Sequence, residues 1–187
     1  MSPDPLVTRG EFRTMEANTP ADVRLERLDG YVYAMAGAGM AHERVVSRCL
    51  RALGDAADRQ GCEVYASNRR LSIGDDTDLL PDVSVYCDPT DNDEYAGLRP
   101  CLVVEVLSLS TALNDLNFKV PRYQEVASLE TILLINTEPL YAEVFTRKGE
   151  NWTRQHVPDA DATIELTCPR CSIALSTFAR PAGTGAP

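Results

Sequence analysis

Three side chains in the middle of the sequence have the types and placement that hydrolytic chemistry needs: Asp82, Glu105 and Lys119. Asp82 follows Pro81 at the head of an apolar run, PDVSVY, and Glu105 interrupts another, CLVVEVL, where a carboxylate has to be buried. A buried carboxylate with no partner is expensive, so it meets a cation, binds a metal or takes up a proton. Two of them on neighbouring strands supply the hard oxygen donors that Mg2+ prefers. Lys119 lies close enough in sequence to orient a water or to neutralise charge developing on a phosphoryl group. The same residues admit a plainer reading, in which Glu105 pairs with Lys119 or an arginine and Asp82 hydrogen-bonds the turn after Pro81.

These residues must be held by regular elements, and the sequence pattern lays those out. Thr8 to Ala17 reads as a short helix with Thr8 as N-cap and Glu11 as its capping-box partner. Arg24 to Leu28 and Tyr31 to Ala36 flank Asp29-Gly30, a dipeptide suited to a two-residue hairpin turn. After a Gly37-Ala38-Gly39 joint, Val45, Val46, Cys49, Leu50, Leu53 and Ala56 recur at helical spacing, so Ala41 to Gln60 is expected to be a long helix ended by Gly61. Strands are expected at Cys62 to Ala66, Arg69 to Ile73, Pro81 to Cys87 and Cys101 to Leu107, the last apolar enough to be buried on both faces. A helix between Asn114 and Ala127 follows, then strands at Thr131 to Asn136, Tyr141 to Thr146, Trp152 to Val157, Ile164 to Leu166 and Ser172 to Leu175. The class is α/β, a mixed sheet flanked by helices, in a single domain over residues 1–180 with a Gly/Pro/Ala-rich tail at 181–187 expected to be disordered.

Composition bounds the function from outside. The 187 residues are 44% hydrophobic and 25% charged, an ordinary balance for one globular domain. A net charge of −10 argues against a protein that coats nucleic acid, because phosphate binding is driven by Lys and Arg. It leaves room for an enzyme with a local basic face and its own metal. Arg44, Arg48 and Arg51 recur at helical spacing on the long helix and Arg69-Arg70 lies on the next hairpin, but a solvated face is the commoner meaning of such spacing. The longest apolar stretch, Tyr31 to Met40, is too short to span a bilayer, and MSPDPLVTRGEF lacks the pattern of a signal peptide, so a cytoplasmic location is expected. On that basis the six cysteines, Cys49, Cys62, Cys87, Cys101, Cys168 and Cys171, are expected to be reduced and buried. Cys168 and Cys171 in CPRC have the spacing of half a zinc site, but no second CxxC exists to complete it. A serine or cysteine hydrolase fits poorly, with no GxSxG and only His42 and His156 as bases, and no phosphate-binding or dinucleotide glycine motif is present.

Taken together, PDVSVYCDP and LVVEVLSLSTALNDLNFKVPRYQEV resemble the Uma-two family of endonucleases, within the PD-(D/E)XK restriction-endonuclease-like superfamily. The similarity runs from about Leu6 to about Ala179 and includes ERLDG, AGAGMAHERVV, TILLIN and YAEVF. The resemblance implies a restriction-endonuclease-like core and a DNA substrate cut with Mg2+, or Mn2+ in its place. Asp82 matches the family's PD aspartate and Glu105 the second acidic ligand, and a backbone carbonyl near Val106 is expected to complete the ligands of the ion. The superfamily's lysine position, two residues after Glu105, is Leu107; in this family the lysine stands on the next helix, where Lys119 matches. Glu26, His42, Asp115 and Tyr123 match further positions near the site, and Ser108, Ser110 and Thr111 a polar turn. Leu109 replaces the family's usual proline, and Pro121 predicts that the helix carrying Lys119 starts late or kinks. From the residues themselves, Tyr123 also suits packing, His42 a surface position, Glu26 a pairing with Arg24 or a neighbour, and Ser110, Thr111 and Asp115 a helix cap. Two functions therefore stand: a Mg2+-dependent endonuclease, with a symmetric homodimer suited to cutting two strands, or a catalytically inactive nuclease-fold module that binds nucleic acid or protein.

Overall fold

The Asp29-Gly30 turn forms as its composition requires: both residues have positive φ, 54° and 80°, and the flanking strands β1 (Leu25–Leu28) and β2 (Tyr31–Ala34) pair antiparallel. A two-residue turn of the primed type has this backbone, and glycine and Asx residues accept it most readily. The computed structural model describes residues 6–35, 37, 39–107 and 115–179. Ahead of the hairpin lies α1 (Arg9–Ala17), in which Thr8 and Glu11 complete the reciprocal capping box. Behind it lies α2 (Met40–Asp58), whose apolar stripe buries Val45, Val46, Cys49, Leu53, Ala56 and Ala57.

The strands that follow are β3 (Glu63–Ala66), β4 (Arg70–Ile73), β5 (Thr77–Leu79), β6 (Val83–Tyr86), β7 (Ala96–Gly97) and β8 (Leu102–Leu107). After a π-helical turn at Asp115–Lys119 and a short helix α3 (Val120–Glu125) come β9 (Thr131–Thr137), β10 (Leu140–Lys148), β11 (Asn151–Val157), β12 (Thr163–Thr167) and β13 (Arg170–Ala174). One sheet has the order β2-β1-β5-β4-β7, a second β11-β10-β9-β8-β6-β3, and β12-β13 form a separate hairpin. Two parallel pairings, β8 with β9 and β4 with β7, make both large sheets mixed, as the α/β class requires. β5 and β7, of three and two residues, were not anticipated; so few residues show no alternation. The expected helix at 114–127 is shorter among the described residues, and Pro121 sits at the start of α3, directly after the π-helical turn.

β8 is buried at all six positions because it is covered on both faces. Val104 and Val106 join α2, β12 and β13 in one apolar cluster, while Val103 and Leu107 join Tyr123, Leu71 and Leu79 in another. Glu105 therefore projects with Val103 and Leu107 toward α3 and the first sheet. No helix among the described residues is long and apolar enough to cross a membrane.

The expectation of reduced cysteines is corrected: Cys62 is bonded to Cys87 and Cys101 to Cys168, with Cys49 and Cys171 free. Apolar flanking residues predicted burial but could not show that Cys62, Cys87 and Cys101 mark the same end of three adjacent strands, β3, β6 and β8.

The first sheet is anchored by an ion pair with no contact to water. Arg27 donates through Nη2 and Nε to Asp78 Oδ2 at 2.6 and 3.0 Å and also to the Val7 and Asp75 carbonyls, with side-chain exposures of 1% and 0% for the pair. Breaking it from one side leaves a buried charge. Asp78→Ala is expected to cost about 3–5 kcal/mol in urea denaturation; a loss below about 1 kcal/mol, the size of an ordinary surface change, would contradict this role.

Candidate active site

The chain leaves the first sheet and enters the second in only three residues, Leu80-Pro81-Asp82, all buried. The antiparallel register of β6 and β8 sets Val83 across from Val104, so one step further Asp82 stands across from Glu105. Asp82 Oδ2 accepts the Val106 N–H at 2.8 Å and lies 2.9 Å from His42 Nε2 at the start of α2. Glu26 on β1 secures the same crossing from the other side, its Oε1 accepting the Leu80 N–H at 2.8 Å. Each carboxylate thus stands where a backbone amide would otherwise be buried without an acceptor.

Lys119, the last residue of the π-helical turn, extends its ammonium between two of these acids. Its Nζ lies 3.0 Å from Glu26 Oε2 and 3.3 Å from Glu105 Oε1. Tyr123, one turn along α3 and fully buried, donates its hydroxyl to Glu105 Oε1 at 2.5 Å. Glu26, Asp82 and Glu105 are 6%, 6% and 3% exposed, so among the described residues three carboxylates share a space with one ammonium and one imidazole. Burial also raises the Cys49 thiol above its ordinary range, with the Asp82 carboxylate adding to the effect, so Cys49 remains a neutral neighbour. Oxygen donors in excess of cationic charge form a set that suits a hard divalent ion.

The sequence-predicted residues are thereby sorted. Asp82, Glu105, Lys119, Glu26, His42 and Tyr123 come together through the contacts above. Glu26 pairs with Lys119 and not with Arg24, because the hairpin points it toward the crossing. Tyr123 is both packed and bonded to an acid. For Asp115 only the backbone, in the π-helical turn, is described, and Ser108, Ser110 and Thr111 lie outside the described residues. Val106 presents its N–H to Asp82, and since a strand residue's N–H and C=O leave on the same side, its carbonyl faces that same edge of β8. Three of the five arginines are engaged by partners outside the site. Arg70 is buried against Glu16, Arg69 bonds the Asp93 carbonyl, and Arg48 bonds the Phe178 carbonyl. Leu80 is the participant that sequence reading missed; its part is played by a backbone N–H, which leaves no mark on residue type.

With this geometry in view, known proteins supply the context. A family model described as "Putative restriction endonuclease" matches residues 9–176. The chain belongs to the Uma2 family. Two uncharacterized proteins of Synechocystis sp. are similar to it, one 32% identical over 127 residues (67% of each chain) and the other 30% identical over 168 residues (87% of this chain, 93% of that one). Among solved structures, a putative nuclease of the DUF820 group from Anabaena variabilis superimposes with a TM-score of 0.73 at 14% identity, covering 92% of this chain and 97% of that one. The resemblance carried by PDVSVYCDP and LVVEVL thus leads to the right family and fold, a restriction-endonuclease-like nuclease core.

The charge balance of the Uma2 site makes a stability prediction. In EDTA, Lys119→Met is expected to destabilise the protein by about 3 kcal/mol, because Glu26 and Glu105 then share a buried space without the ammonium. Adding Glu26→Gln should recover about 1 kcal/mol or more, a coupling read by a double-mutant cycle in urea. A Lys119→Met variant within about 0.5 kcal/mol of wild type would show that the ammonium is not compensating buried charge.

Proposed function

We propose that this protein is a metal-dependent endonuclease that hydrolyses phosphodiester bonds of DNA, with Asp82 and Glu105 as ligands of Mg2+, or Mn2+ in its place, and Lys119 assisting the attacking water. The observation that carries the reading is the excess, among the described residues, of buried carboxylate over lysine at the sheet crossing. Membership of the Uma2 family and the nuclease fold support it. Asp82 and Glu105 would hold the ion, with the Val106 carbonyl as a third donor, and the bound ion would polarise the phosphodiester and lower the pKa of the attacking water.

The protein's own groups have distinct tasks. The Val106 N–H and His42 fix one oxygen of Asp82, which leaves Oδ1 as the freer donor. Tyr123 donates to Glu105 Oε1 and sets the rotation of that carboxylate. Glu26 holds the Lys119 ammonium beside Glu105, close to where negative charge develops on a phosphoryl oxygen and where a water can be oriented. Asp115 stands at the start of the turn that carries Lys119 and is an auxiliary candidate on its family position alone. A symmetric homodimer would present two such sites to the two strands of a duplex.

Supercoiled plasmid incubated with the protein in Mg2+, Mn2+ or EDTA, beside Glu105→Ala prepared identically, tests this. Nicking that requires the ion and falls at least about 100-fold in the variant is expected, the scale of losing a group that acts on the transition state. A folded wild-type protein that nicks in no condition would favour the inactive nucleic-acid- or protein-binding module.

A further inference from the structure

The four bonded cysteines occupy one place. Glu63 on β3 pairs with Tyr86 on β6, so Cys62 and Cys87, the next residues outward, face each other. Val85 on β6 pairs with Leu102 on β8, which brings Cys101 to the same end on the other side. β6 therefore ends in a cysteine flanked by a cysteine on each neighbouring strand. Cys168, in the turn between β12 and β13, closes over all three.

The two disulfides are not separate crosslinks. Cys87 Sγ, bonded to Cys62, also lies 3.2 Å from Cys168 Sγ and 3.6 Å from Cys101 Sγ. The sulfurs of Cys62, Cys87 and Cys168 all fall within 4.8 Å of one another. Cys62 and Cys101 are buried, at 6% and 7% exposure, and Cys87 and Cys168 are half-buried. Around a tetrahedral Zn2+ with bonds of about 2.3 Å, ligand sulfurs lie about 3.8 Å apart. The two contacts between disulfides are already within about 0.6 Å of that spacing, while Cys101, outside the group that lies mutually within 4.8 Å, has to approach Cys62 as the two S–S bonds open.

We propose that in the reduced protein Cys62, Cys87, Cys101 and Cys168 hold one Zn2+ as a closed tetrathiolate site, and that the paired disulfides are its oxidised, metal-free state. Reduction by a dithiol delivers two electrons and two protons to each S–S bond, giving four thiols while two dithiols close to cyclic disulfides. Binding then forms four Zn–S bonds and releases four protons, with no change in the oxidation state of zinc. The chemistry favours Zn2+ because a four-thiolate shell is soft, tetrahedral and complete.

The site is structural and remote from the acids. Asp82 and Cys87 bound β6 at opposite ends, five residues or roughly 17 Å apart along the strand. Its effect is to clip the β12-β13 hairpin to the second sheet, where Ile164, Leu166 and Ile173 complete the core against α2. Gln60 makes the same junction by another means, its side chain bonding the Arg170 N–H at 2.9 Å and the Arg170 carbonyl at 3.2 Å. Cys171, the other half of CPRC, is a free thiol outside the cluster, so the sequence motif names one ligand and not two.

The test reduces the full-length protein with dithiothreitol, removes the reductant anaerobically and titrates Co2+, then Zn2+. One equivalent of Co2+ should give intense sulfur-to-cobalt charge transfer with tetrahedral visible bands, and one equivalent of Zn2+ should abolish both. Cys168→Ser should lose at least about tenfold in affinity, and Cys171→Ser should match wild type. Circular dichroism on each sample shows whether it is folded; an apo form that unfolds on reduction and refolds with Zn2+ supports the proposal equally. Absence of charge transfer in the reduced wild type, whether it stays folded or fails to refold with Zn2+, would overturn it, as would a Cys168→Ser spectrum identical to wild type. Oxygen ligands at Asp82 and Glu105 give no sulfur band, so failure of the nuclease reading leaves this result unaffected.

Discussion

Buried negative charge is the constraint on which the rest of the molecule turns. Glu26, Asp82 and Glu105 are drawn into the interior because the chain passes from one sheet to the other through Leu80-Pro81-Asp82 and leaves strand amides to be satisfied there. Two of the acids accept those amides, and the third takes the Tyr123 hydroxyl. Hydrogen bonds lower the cost of each charge but do not remove the repulsion among them. Lys119 offsets part of it from the turn before α3, and the proposed divalent ion would offset more. A site of this kind trades stability for function, since well-packed apolar residues in the same space would be no less stable.

The strand β6 links this site to the opposite end of the sheet. It begins at an acid and ends at a cysteine, and its neighbour β8 runs the other way with a cysteine before it and an acid near its end. The same pairing that sets Asp82 across from Glu105 also gathers Cys87 and Cys101. A shift in the register of these two strands would disperse both clusters at once, because such a slip exchanges the faces of all the side chains involved.

Much of this arrangement is legible in the sequence where local chemistry and burial agree. The Thr8–Glu11 box, the Asp29-Gly30 turn, the stripe of α2 and the apolar run of β8 each carry a periodic or positional signal, and each is realised. Asp82 and Glu105 stand out because a carboxylate in an apolar strand contradicts its surroundings. What stays hidden is tertiary. β5 and β7 are too short for a pattern, and the Leu80 N–H belongs to the backbone. Cysteine spacing along the chain points to CPRC, whereas the cluster is built from residues separated by 25 and 67 positions. Pro121 is a mixed case: its local effect is readable, and only the fold shows that a π-helical turn ahead of α3 still carries Lys119 to the acids.

Asp82 and Glu105, facing each other across β6 and β8, are proposed to form one cation site. The most direct measurement is Mn2+ binding, followed by the loss of the free-ion paramagnetic resonance signal, in wild type, Asp82→Ala and Glu105→Ala. The account predicts a single specific equivalent in the wild type that each substitution removes while the protein stays folded. Equal Mn2+ binding by all three proteins, or no specific equivalent in the wild type, would contradict it.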